Sequence, residues 1–249
     1  MRSPAVAGSF YPSTKQKCVE FIKSNDCHEK TSSNIVITPH AGWSFSGKTA
    51  IHSFKSLKNN GLNKFLIIGP SHYFSEGVFL SAQDWKTPFG IAKCDVELVE
   101  QLGFNVNENA HQPEHSIEVQ IPFLQYFFKK FTFAALLLGD QSWSSCKQVV
   151  DSIPEDVAII ASSDFTHYEP EEIARKKDLE SLEFIKNLKS KEFNEYVEKN
   201  NLSICGYGPI TIAIEIAKRR SLKKGVVLDF SNSGETGRGV VDYISLAFV

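Results

Sequence analysis

Phe65-Leu66-Ile67-Ile68-Gly69-Pro70-Ser71-His72 is an apolar run that stops at a Gly-Pro pair and delivers a histidine. A short, continuously apolar segment bounded by turn residues fits a strand buried on both faces, the kind that parallel sheets use. The pattern recurs upstream, where Ile35-Val36-Ile37-Thr38-Pro39 leads to His40, and downstream, where Val157-Ala158-Ile159-Ile160-Ala161-Ser162-Ser163-Asp164 leads to His167. All three imidazoles are thereby expected at strand C-terminal ends, the edge along which open α/β sheets bind their ligands. A polar pocket able to hold a metal is the first expectation.

Further strand-like runs lie near 77–82, 132–138, 225–230 and 239–248, and helical periodicity marks 14–24, 47–58, 95–103, 116–129, 143–152, 171–188, 190–199 and 209–220. Strands alternating with helix-length segments predict a three-layer α/β/α sandwich around a mostly parallel sheet. The final run, Val240 to Val249, has the character of a central strand. Ser116 is placed to cap the helix beginning there, which Pro122 must kink or shorten, and Ser46 is placed to cap the helix after His40. No linker-like stretch divides residues 1–249, so the chain is expected to form a single domain.

Lys and Arg total 27 against 29 Asp and Glu. That balance gives no electrostatic footprint for nucleic acid or an anionic membrane and leaves small molecules or peptides as expected partners. No run approaches the ~18 apolar residues of a membrane helix and the start lacks a signal-peptide core, so a cytoplasmic protein is expected. Five cysteines form no C-x-x-C pair, and reduced thiols follow.

A lone histidine after a strand serves equally well as a hydrogen-bonded structural residue. His40 and His72 together, on two strand ends, form a donor pair that suits a borderline divalent metal. Asp164 and His167 admit two readings: ordinary turn chemistry, or an acid/base histidine with a carboxylate that orients it or a metal-bound ring. Cys205 precedes Gly206-Tyr207-Gly208-Pro209 and a helix, a setting expected to lower a thiol pKa and favour the thiolate. The others, Cys18, Cys27, Cys94 and Cys146, read as small apolar residues. Pro113 between His111 and His115 rules out a continuous helix carrying both rings on one face. His115 remains a candidate for lining the pocket, with Trp43 and Ser71, while His111, His52 and His28 are expected at the surface. Gly234-Glu235-Thr236-Gly237-Arg238-Gly239 leads into a strand and not a helix, so it is not a phosphate loop.

Several segments together resemble the Memo family, related to the LigB-type class III extradiol dioxygenases. They are Arg2-Ser3-Pro4-Ala5-Val6-Ala7-Gly8-Ser9-Phe10-Tyr11-Pro12, Pro39-His40-Ala41-Gly42-Trp43, Gly69-Pro70-Ser71-His72, Glu114-His115-Ser116-Ile117-Glu118-Val119-Gln120, Ser162-Ser163-Asp164-Phe165-Thr166-His167 and Cys205-Gly206. The resemblance implies a LigB-like α/β fold. It also implies a pocket in which His40, His72 and Cys205 hold one transition metal ion, iron or copper with zinc as a further option, and His167 stands where the dioxygenases keep a catalytic histidine. Those enzymes have a carboxylate as third ligand; a thiolate here is softer and shifts the expectation from ring cleavage to other redox chemistry. Three functions follow: an iron- or copper-dependent oxidoreductase, an interaction module that accepts a peptide or small anion in the inherited pocket, and metal-free catalysis with Cys205 as nucleophile and His167 as base.

Overall fold

In a strand buried on both sides, successive side chains supply opposite cores, and the central strands here do so residue by residue. Ile35 and Ile37 face one core and Val36 the other; Leu66 and Ile68 oppose Phe65 and Ile67; Ile159 and Ala161 oppose Ala158 and Ile160. The computed structural model describes residues 1–57, 62–234 and 238–249.

In chain order the elements are α1 (Lys15–Ser24), β1 (Ile35–Thr38), a π-helical turn (Trp43–Gly47), α2 (Lys48–Ser56), β2 (Lys64–Pro70), β3 (Val78–Ser81), β4 (Trp85–Thr87), β5 (Gly90–Cys94), α3 (Val96–Leu102), β6 (Asn105–Val106) and α4 (Glu108–His111). A 3-10 turn (Glu118–Gln120) then precedes α5 (Ile121–Phe127), β7 (Thr132–Leu138), α6 (Trp143–Ser152), β8 (Ala158–Ser162), β9 (His167–Glu169), α7 (Glu171–Lys186), α8 (Ser190–Lys199), α9 (Tyr207–Arg219), β10 (Gly225–Asn232) and β11 (Val240–Phe248). The sheet runs β10-β11-β1-β8-β2-β7-β3-β6. One core packs under α3, α6, α7, α8 and α9, through residues such as Val149, Leu182, Phe193 and Ile214. The other packs under α1, α2 and α5, through Ile22, Phe54 and Phe123. The chain is thus an α/β sandwich of three layers.

The sheet is mixed, where a mostly parallel one was expected. Its centre, β1-β8-β2-β7, is parallel, but β11 lies antiparallel on β1, β10 antiparallel on β11, and β3 antiparallel on β7. Residue pattern reports burial, and a strand buried on both faces looks the same in either direction. β11 is interior as expected, but it enters by a reversal from β10; residues 235–237 of the glycine-containing stretch lie outside the described residues. A small β4-β5 hairpin was not anticipated. Ser116 does not cap a helix: its hydroxyl donates to the Pro70 carbonyl, and α5 starts at Ile121 with Pro122 in the first turn, where a missing N–H costs nothing. Ser46 likewise sits within the π-helical turn and donates to the Ala41 carbonyl. All five cysteines are free, and no helix among the described residues is long and apolar enough to cross a membrane.

Candidate metal centre

The parallel strands β1, β2 and β8 deliver His40, His72 and Asp164 to one edge of the sheet, and the turn before α9 brings Cys205 to the same place. Asp164 is the joint. Its Oδ1 accepts the backbone N–H groups of His40 at 2.7 Å and Ala41 at 3.3 Å, while its own N–H donates to the Cys205 Sγ at 3.2 Å. Gly206 lets Cys205 come this close: a Cβ there would fall 2.4 Å from the Ser162 carbonyl oxygen.

Proton accounting fixes the His40 ring. The Ser162 hydroxyl donates to the Ser116 carbonyl at 2.7 Å and accepts from Gln120 Nε2 at 3.0 Å, so its contact with His40 Nδ1 at 3.0 Å must be a bond that the imidazole donates. The Nε2 lone pair is then left facing Cys205 Sγ, 3.1 Å away. Burial, with the neighbouring imidazoles His115, His72 and His167, pushes the His40 pKa well below the ordinary value and keeps the ring neutral. Glu114 orients His72. Burial opposes its ionisation, but hydrogen bonds from His72 and the Ser116 N–H prevail and bring its pKa down to about 2. An ionised carboxylate only accepts, so His72 Nδ1 donates to it at 2.9 Å, and the other ring nitrogen has no hydrogen-bond partner among the described residues.

Two groups of residues place ligand atoms within 4.8 Å of one another: His40, His72 and Cys205, and His72, Glu114 and His115. The second has no spare carboxylate. Glu114 already accepts the His72 N–H and ring N–H and the backbone N–H groups of His115 and Ser116, at 2.8–2.9 Å. The first presents two imidazole lone pairs and one sulfur, a donor set that suits iron, copper or zinc. Its thiol departs from expectation. Burial, and next the Asp164 carboxylate, push the Cys205 pKa up, because the sulfur is shut off from water before the helix start and lies beside a negative group. Burial also raises Asp164 itself, to about 6.

His115 stacks on His72 with ring centroids 4.6 Å apart and meets His40 edge-on at 5.4 Å; burial, then His72, lowers its pKa to about 4. His167 donates Nδ1–H to the Ser203 carbonyl at 2.8 Å, and its other nitrogen has no hydrogen-bond partner among the described residues. Ser71 accepts the N–H of Phe74 at 3.0 Å and shapes the turn that carries His72. Trp43 stands apart from the histidines: it is buried against Phe123, centroids 4.0 Å apart, and its indole N–H donates to the Val119 carbonyl. His111, expected at the surface, is fully buried and bonds through Nε2 to the Phe79 carbonyl, because α4 folds inward over β3.

Sequence reading passed over the partners that orient the two imidazoles: Glu114, Ser116, Ser162 and Gln120. One signal was present. In residues 114–120 the polar side chains fall on alternate positions, and Glu114, Ser116, Glu118 and Gln120 are all buried. Glu118 ties down the N-terminal segment, accepting from Arg2 at 2.6 Å, from Tyr11 at 2.8 Å and from the N–H groups of Ala5 and Val6. Arg2 in turn donates to the carbonyls of His111 and Glu114, bracing the loop that holds the His72 partner.

The sequence matches the family of Memo-like proteins over residues 2–247. A MEMO1 family protein of Thermoplasma volcanium is 39% identical over 266 residues, covering 99% of this chain and 97% of that relative. A MEMO1 family protein of Methanosarcina barkeri is 38% identical and covers 99% of each. A solved structure, that of uncharacterized protein JW3007 from Escherichia coli K12, has a TM-score of 0.48 and 13% identity over 78% of this chain and 88% of that one. On the full-length match to these sequences, this chain belongs to the Memo family.

Proposed function

We propose that this chain is a mononuclear iron- or copper-dependent oxidoreductase acting on a small molecule in the cytoplasm. His40, His72 and Cys205 would hold the ion, which when bound would supply one-electron redox chemistry. The observation that carries this reading is the pair of fixed tautomers. Ser162 and Glu114 each accept the Nδ1–H of a histidine, a partnership typical of metal-bound imidazoles, and do so for two rings whose remaining nitrogens lie near one thiol. Three protein donors leave coordination positions for a substrate or water, as reactive centres require.

The remaining residues have roles that follow from their contacts. Asp164 sets the distance between the His40 backbone and the Cys205 sulfur. His115, neutral and stacked on His72, presents an uncharged face to a bound molecule. His167, anchored through Nδ1, has a second ring nitrogen with which to take or give a proton. A thiolate in place of a carboxylate argues against catechol ring cleavage and makes Cys205 itself sensitive to oxidation.

The test is metal content and oxygen consumption of the anaerobically purified full chain, with and without a reducing substrate, beside catechol cleavage. We expect one ion per chain, metal-dependent oxygen uptake, and loss of both in Cys205→Ser. Catechol cleavage by the unaltered chain would contradict the thiolate argument. Absence of any metal-dependent turnover, with peptide or small-anion binding that needs the histidines but no metal, would overturn the oxidoreductase reading in favour of an interaction module.

A further inference from the structure

Behind the metal centre, two acidic side chains meet where neither can be solvated. Asp178 of α7 is fully buried and Asp242 of β11 is 1% exposed. Asp178 accepts the Thr166 hydroxyl at 2.7 Å and the Thr166 N–H at 3.3 Å. Neither carboxyl oxygen of Asp242 has an N–H or hydroxyl partner among the described residues. Thr166 makes the two acids neighbours, its N–H and hydroxyl donating to the Asp178 carboxyl and its carbonyl accepting the Asp242 N–H, and each carboxyl perturbs the ionisation of the other. A carboxyl can donate only when protonated, and two ionised carboxylates cannot share a buried site without a cation between them.

We propose that Asp178 and Asp242 share one buried proton, and that this proton, acting through Thr166, fastens the segment Asp164–His167 against β11. The segment has no slack. The Phe165 N–H donates to the Asp242 carbonyl at 2.9 Å, the Asp242 N–H to the Thr166 carbonyl at 3.0 Å, and Asp164 and His167 flank these bonds. The other charged or titratable groups facing the pair are Glu171 and Arg175 of α7, which oppose one another at Asp242, Tyr196 of α8, and Tyr243 beside Asp242 in β11. Arg175 places its guanidinium over the Phe230 ring, 5.0 Å from the centroid, and favours the ionised form of Asp242. Burial first, and then Asp242, push the Asp178 pKa up to about 8, against the pull of the Thr166 hydrogen bonds. A folded-state value above the unfolded one contributes stability that is present at low pH and is lost as pH rises through about 8. Asp178 is a positioning residue: it touches no substrate and holds the segment from which Asp164 and His167 project. The proposal stands whether or not the centre binds metal.

The test follows aspartate carboxyl carbons by NMR, and amide hydrogen exchange at Phe165, Thr166 and Asp242, in the full chain between pH 5 and 9.5. We expect one aspartate carboxyl to titrate near pH 8 and to vanish in Asp178→Asn. Exchange at Thr166, corrected for intrinsic chemistry, should rise by up to about tenfold per pH unit as pH approaches that midpoint from below, and level off above it. The amide of Asp178→Asn accepts from Thr166 and donates to Asp242 as the protonated acid does, so its protection should be independent of pH. Should that variant fail to fold, Asp242→Asn removes the second charge and leaves the burial, and the Asp178 titration should move to lower pH than in the unaltered chain. Aspartates all titrating below pH 6 in the unaltered chain, or Thr166 protection indifferent to pH, would overturn the proposal. Protection that instead depends on added sodium, magnesium or calcium would overturn it too, by placing a cation where we place the proton.

Discussion

At the scale of single residues, the candidate centre is defined by where two protons sit. Ser162 and Glu114 fix the tautomers of His40 and His72, so the ring nitrogens left unprotonated are the ones available to a metal. Glu114→Gln keeps the size and several of the N–H contacts but surrenders the charge-assisted bond to His72 Nδ1. Loss of such a partner lowers metal affinity by roughly 10–100-fold, and a chelator-competition titration should find the decrease in that range with the fold intact. His40, His72 and Cys205 were legible in the sequence because each follows a strand or precedes a helix at a point marked by glycine or proline. Glu114, Ser162 and Gln120 were not. Each acts across separate elements, over sequence separations of 42 to 122 residues, and nothing local distinguishes a serine that accepts an imidazole proton from one that ends a strand. The Cys205 thiol was misjudged for a related reason: proximity to a helix start is visible in sequence, whereas burial beside Asp164 is not.

Between residues and the whole lie the elements, and here close backbone approaches carry the site. Gly206 lets the turn before α9 press on the end of β8, and an added methyl would meet the Ser162 carbonyl at 2.4 Å. Gly206→Ala should therefore displace Cys205 from His40 and abolish stoichiometric metal binding, measured by elemental analysis, while circular dichroism retains the native helix and strand content. The N-terminal segment is held as firmly. Arg2 and Glu118 form an ion pair of 2.6 Å with each side chain 1% exposed, and removing one partner strands the other charge in the core. Arg2→Met should cost about 3–5 kcal/mol in urea unfolding. The substantial helices and the central strands were visible in sequence through their periodicity. The β4-β5 hairpin, α4 and β9 were not, since segments of three to five residues carry too few side chains to establish a period. Pro122 was correctly taken to limit its helix, but it does so by opening α5, where it is tolerated.

For the molecule as a whole, strand pattern determined the layers and left direction undetermined. Continuous burial along β1, β2, β7 and β8 puts cores on both faces and so requires helices on both. It does not tell that β3 and β11 run the other way, because antiparallel strands buried on both faces show the same apolar runs. The convergence of His40, His72, Asp164 and Cys205 at one edge survives this difference, because the strands that deliver the first three are the parallel ones. Global stability should register the Asp178 pair as well: ΔG of unfolding at pH 6 should exceed that at pH 9, and Asp178→Asn should reduce the difference, as measured by denaturant titration at each pH. The central claim, one ion held by two imidazoles and one thiolate, is tested most directly by X-ray absorption spectroscopy of the full chain loaded anaerobically with one equivalent of iron(II) or copper(I). The account predicts a single sulfur scatterer at about 2.3 Å with imidazole nitrogens at about 2.0–2.1 Å, the sulfur disappearing in Cys205→Ser and the imidazole signal diminishing in His40→Ala or His72→Ala. A first shell without sulfur in the unaltered chain, or a spectrum unchanged by these substitutions, would contradict it.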